Sequence, residues 1–130
     1  MKARLQVGHR ERLEVTVTRE MTASFGGVEV HPVLSTVSMV YHMEWAGRKV
    51  ILPFLEPGEE GVGGAISVEH RAPAPVGKVV TFTAEAIEVT SRKVLCRVWC
   101  EHDKALVGEG TFLQAILPSG AIRRRIEAMS

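Results

Sequence analysis

The sequence predicts an α+β domain in which an antiparallel sheet packs on one long helix. Three observations carry that reading. A Pro-free stretch from Ser35 to about Leu52 has helical spacing, alternating segments joined by short turns run from residue 65 to 117, and one alternating segment precedes the helix. With 130 residues, 1–130 is read as a single domain. A chain of that length buries roughly two thirds of its unfolded surface, enough for a core without staples.

In chain order, "RLEVTVT" (12–18) alternates Leu13, Val15 and Val17 with polar residues and reads as a half-buried strand. "MTASFGGVEVHP" (21–32) has no clean period, and Gly26, Gly27 and Pro32 mark it as irregular or lid-like. In the helical stretch, Val37, Val40, Tyr41, Met43 and Val50 recur at helical spacing. Ser35 or Thr36 suits the N-cap, and Pro53 ends the segment. "EPGEEGVGG" (56–64) reads as a loop. Strands are then expected at "AISVEHRAPA" (65–74), "VVTFTAEAIEV" (79–89), "VLCRVWCEH" (94–102) and "LVGEGTFLQAIL" (106–117), as a four-stranded meander. The tail "PSGAIRRRIEAMS" aligns Ile122, Ile126 and Met129 as a short helix would. Strand, long helix and meander together make the layout of the hot-dog fold, a sheet wrapped around one central helix. Fold alone assigns no chemistry.

Composition narrows the function. A formal charge of +1 gives no bulk electrostatic case for nucleic acid or an anionic membrane. No apolar run approaches the roughly 20 residues of a membrane span. The N-terminus lacks the apolar core of a secretory signal, and two cysteines make no disulfide framework, so a reducing cytoplasm is expected. Cys96, Cys100 and His102 share a strand face, but same-face neighbours stand about 6.5–7 Å apart, too far to share one metal ion. No metal is expected, and the cysteines read as core.

The chemistry-bearing residues are fewer. Thr36 and Glu44 are eight apart, which on a helix means about 80° of azimuth and about 12 Å of rise, so they share one side. The helix N-terminus offers free N–H groups where negative charge could develop. Glu44, set between Met43 and Trp45, is expected to need a partner if it is buried. The plainer reading makes Thr36 a cap and Glu44 an exposed or paired residue. His70, at the end of "ISVEH", could join Glu44 in a carboxylate–imidazole pair, whereas Glu69 points to the opposite face. Arg71 and Lys78 flank the following turn and could meet phosphates, or simply form a solvated rim.

"TVSMVYHMEWA" followed by "LEPGEEGVGGAISVEHRAPAPVGKVVTFTAE" resembles the fluoroacetyl-CoA thioesterase-like family of hot-dog thioesterases. The shared pattern is Thr36, Glu44 within "MEWA", "LEPGE" at 55–59, His70 at 26 residues after the Glu, and "PVG" at 75–77, over roughly residues 33 to 117. The resemblance implies acyl-CoA hydrolysis by a homodimer or a dimer of dimers, with coenzyme A entering as part of the substrate and no other cofactor. It implies Thr36, Glu44 and His70 as the catalytic set, with Thr36 and the helix N-terminus stabilising an oxyanion and His70 holding Glu44. The lid departs from the fluoroacetyl-specific pattern, since "GGVEVHPVLS" lacks its phenylalanine. Pocket depth is expected to depend on Val40, Met43 and Phe82. Enoyl-CoA hydration and non-catalytic acyl-CoA binding are the competing readings on the same fold.

Overall fold

In the computed structural model, which describes residues 1–130, the alternating segment ahead of the helix forms β1 (Arg10–Thr16). The stretch expected to be irregular forms a hairpin, β2 (Thr22–Phe25) and β3 (Val28–Leu34), whose register does slip, at Thr22/Ala23 and again at Ala23/Ser24. Gly26 and Gly27 close it with φ of 59° and 81°. Two successive left-handed residues are what a tight two-residue hairpin turn demands, so the glycines that suggested irregularity are its turn. This hairpin is a two-stranded sheet of its own, with Phe25, Val28 and Val30 exposed.

The long helix is α1 (Thr36–Ile51). Ser35 is its cap, accepting a hydrogen bond from Ser38 N–H at 2.9 Å, while Thr36 is the first helical residue. Four strands follow: β4 (Glu59–His70), β5 (Val79–Val89), β6 (Lys93–Glu101) and β7 (Leu106–Pro118). A final helix, α2 (Ser119–Ala128), sets Ile122, Ile126 and Met129 along one groove beside Val62 and Leu117. The segment expected as a loop at 56–64 is mostly strand, because β4 begins at Glu59 and continues through the glycines, with a register shift between Gly63 and Ala65.

The main sheet has the order β1-β5-β6-β7-β4, all antiparallel. Only β5, β6 and β7 form the expected meander; β4 pairs with β7 and not with its chain neighbour β5. The proline-bearing connection 71–78 causes this. Leu34 N–H donates to Ala74 C=O at 2.8 Å and Val33 bridges Pro75, so the chain crosses past β3 to the far side of the sheet. β4 is left as an edge.

One face of α1 packs into this curved sheet through Met39, Met43, Ala46 and Val50, all fully buried against Phe82, Ala84, Val98 and Val107 among others. Cys96 and Cys100 lie in the same core as free thiols, and burial pushes both up to about 12. His42 is a core histidine: its Nδ1–H donates to Ser38 C=O at 2.7 Å and its ring rests on Phe82. No helix is long and apolar enough to cross a membrane.

Candidate functional site

β3 delivers the chain to Ser35, whose cap leaves Thr36 at the first helical position. The first intrahelical bond is Met39 N–H to Ser35 C=O, so the N–H groups of Thr36 and Val37 have no acceptor within the helix. The far end of β4 sets His70 beside them. Thr36 Oγ1 and His70 Nδ1 are hydrogen-bonded at 2.9 Å, joining residues 34 apart in sequence. Two of the three expected site residues are therefore in contact at the positive end of the helix.

Glu44 lies elsewhere. It is exposed on the outward face of α1, two turns from Thr36 and about 12 Å along the axis. No hydrogen bond joins it to His70 within the chain; the imidazole Nδ1 is taken by Thr36. Nor is Glu44 buried among apolar side chains, as its place between Met43 and Trp45 suggested: Met43 turns into the core and Glu44 turns out.

The carboxylate instead overlooks a cleft between α1 and the sheet edge. On one side it borders a cavity of about 360 Å³ lined by Tyr41, Trp45 and Arg48 of α1, with Gly61 and Gly63 of β4 and with Phe112 and Gln114 of β7. On the other it borders a smaller depression of about 220 Å³ along Gly63 to Ile66. Close approach calls for glycine at two positions here. A Cβ on Gly47 would strike the ring of Phe112 and one on Gly61 the tip of Ile51, whereas a Cβ on Gly63 would make ordinary contact with that ring at 3.4 Å and with Glu44 Oε2 at 3.8 Å. Bare backbone at these positions lets α1, β4 and β7 converge under the carboxylate.

Val40, Met43 and Phe82 do not line this cavity, and Met43 and Phe82 are wholly core. Beside Tyr41, Glu44 and Trp45, the lining includes two polar residues that the family pattern does not single out, Arg48 and Gln114. Arg48 sits one turn beyond Glu44. Gln114 is the polar member of the inward series Phe112, Gln114, Ile116, and the sequence signal it carries is that break in the apolar alternation of β7.

The two cations flanking the turn are already paired. Arg71 Nη2 lies 2.6 Å from Glu69 and its Nε donates to Glu109 at 2.8 Å. Lys78 donates to Asp103, and that bond holds the Asp103 carboxyl below its ordinary value. No cluster of three or more His, Cys, Asp or Glu side chains is arranged to hold a metal ion.

A central helix cradled by a five-stranded antiparallel sheet is the hot-dog fold, and comparison with solved structures places it among the thioesterases of that fold. A Thermus thermophilus hypothetical protein of the thioesterase superfamily superposes with a TM-score of 0.93 at 38% identity, covering 98% of this chain and 94% of that one. A point mutant of the fluoroacetyl-CoA-specific thioesterase FlK superposes with a TM-score of 0.90 at 32% identity, covering 99% and 100%. The family model of FlK, the fluoroacetyl-CoA-specific thioesterase, matches residues 17–120. The fluoroacetyl-CoA thioesterase of Streptantibioticus cattleyicolor is 40% identical over 89 residues, 68% of this chain; the match spans 64% of that relative's length, less than two thirds. The chain belongs to the fluoroacetyl-CoA thioesterase family, a family of thioester hydrolases.

Proposed function

We propose that the protein is a cytoplasmic acyl-CoA thioesterase that works as a homodimer, each active site combining Thr36 and His70 of one subunit with Glu44 of the other. The observation that carries this reading is the outward face of α1. Val37, Tyr41 and Trp45 form an apolar ridge there, 76%, 60% and 46% exposed. Thr36 and Glu44 lie equally far on either side of Val40. A two-fold axis near Val40, pairing two antiparallel copies of α1, would set each Thr36 against the partner subunit's Glu44. The single-sided β4 edge is free to pair as well. Within one subunit a single thioester carbonyl cannot reach both groups, given the rise of about 12 Å between them.

In that arrangement the carbonyl oxygen sits at the N-terminus of α1, where free N–H groups and the Thr36 hydroxyl receive the developing negative charge. The partner subunit's Glu44 supplies a carboxylate that attacks the carbonyl carbon or draws a proton from attacking water. His70 orients the Thr36 hydroxyl and stands where it can pass a proton to the leaving thiolate. The phosphates of coenzyme A would meet Arg71 and Lys78 by exchange, each cation trading a carboxylate partner for a phosphate. No cofactor beyond the substrate's own coenzyme A enters the chemistry.

Complementation tests the shared site. Glu44→Gln and His70→Ala subunits are each expected to release almost no thiol from acetyl-CoA or butyryl-CoA. Co-expressed with different tags and purified together, they should recover roughly a quarter of wild-type activity, because hybrid dimers carry one intact site. No recovery in isolated hybrids would place all three residues in one subunit. Enoyl hydration or binding without turnover would give no thiol from the wild type.

A further inference from the structure

The cavity beyond Glu44 does not end on hydrocarbon. Gln114 is 2% exposed, and its Nε2 donates to Gly47 C=O at 2.9 Å. That bond fixes the orientation of the amide, since only the nitrogen can donate to a carbonyl. The Oε1 atom has no partner in the protein and faces the cavity beside Gly61, 3.8 Å from where a Cβ would stand. Arg48 lines the same cavity, and its donation from Nη2 to Glu60 at 2.9 Å leaves other guanidinium N–H groups without a protein acceptor. The cavity lining thus offers a fixed acceptor, the Gln114 oxygen, and a guanidinium donor, Arg48.

We infer that the acyl pocket selects short acyl groups bearing a hydroxyl, with Gln114 and Arg48 as the specificity-determining pair. A hydroxyl is one donor and one acceptor, the complement of this lining. A plain alkyl chain would bury the Gln114 oxygen without a partner. A second carboxylate on the acyl group would meet Arg48 but also the Gln114 oxygen and the carboxylates of Glu60 and Glu44. Length follows from β4. Glu44 Oε2 lies over Gly63 and Gln114 Oε1 over Gly61, alternate residues about 7 Å apart on one face. With the carbonyl carbon about 3–3.5 Å from the attacking oxygen, the hydroxyl falls on the second or third acyl carbon.

This inference rests on the thioesterase reading, and its test separates the two. Initial rates of thiol release are measured for 3-hydroxybutyryl-CoA, butyryl-CoA and succinyl-CoA with the wild-type dimer. The expected kcat/KM for the hydroxyacyl thioester exceeds that for butyryl-CoA by at least about tenfold, with succinyl-CoA below both. Arg48→Met and Gln114→Leu are each expected to collapse the hydroxyacyl-to-butyryl ratio toward one. A change in packing alone would lower both rates together and leave the ratio standing. Arg48 is half-exposed, so its variant stays informative if the Gln114 variant folds poorly. A wild-type ratio near one, a ratio unmoved by Arg48→Met, or a preference for succinyl-CoA would overturn the inference while leaving hydrolysis intact. Absence of thiol from every substrate would overturn both.

Discussion

The two faces of α1 obey different rules. On the inward face Met39, Met43, Ala46 and Val50 are fully buried, and the helical period alone accounts for them. On the outward face Val37, Tyr41, Glu44, Trp45 and Arg48 follow the same helical period but mix ring, carboxylate and guanidinium. The inward face holds the helix to the sheet; the outward face carries the carboxylate that the proposed mechanism uses. Adjacent residues therefore have unrelated roles, because 100° of rotation separates a core side chain from a solvent-facing one.

Neighbouring positions can break that contrast most sharply. Glu44→Gln is expected to lower kcat at least ~100-fold with little change in the thermal melt. Met43→Ala, one residue away, should cost ~2–5 kcal/mol in urea unfolding. If Glu44→Gln unfolds the protein, or Met43→Ala leaves stability untouched, the division between faces fails. A smaller contrast sits at the helix start. Thr36→Val should lower kcat about tenfold, equivalent to ~1.4 kcal/mol of barrier, whereas Ser35→Ala should remove a cap worth ~1 kcal/mol of stability. Equal effects on rate from the two variants would deny the Thr36 hydroxyl a role beyond its place at the helix start. The smallest effect concerns Glu60. The Gly61 N–H and then Arg48 hold its carboxyl below the ordinary 4.5. A depressed folded value means this stabilisation is whole above 4.5 and drains away as pH falls through the folded value. Glu60→Gln should flatten the acid limb of the melting profile slightly; an unchanged limb would show that the pair contributes nothing.

Much of this was legible in the residues. Alternation placed β1, β5, β6 and β7 within a residue or two, and helical spacing with Pro53 bounded α1. Glycine misled in both directions. Gly26 and Gly27 read as irregularity but form a hairpin turn, while Gly61, Gly63 and Gly64 read as loop but lie in β4, where a Cβ on Gly61 would strike Ile51. The family pattern singled out Thr36, Glu44 and His70, yet the partner of His70 is Thr36, a contact across 34 residues that no local spacing encodes. Arg48 and Gln114 escaped notice because each looks ordinary in its own element and matters only where α1 meets β7.

The thiols of Cys96 and Cys100 are sealed inside the sheet, and burial, which pushes both up to about 12, keeps them protonated near neutral pH. A reagent that colours on meeting a thiolate would find the native enzyme silent. Coenzyme A released by turnover would be the sole source of signal. A rising baseline without substrate would then report the sheet coming apart, so one cuvette reads catalysis and unfolding on the same trace.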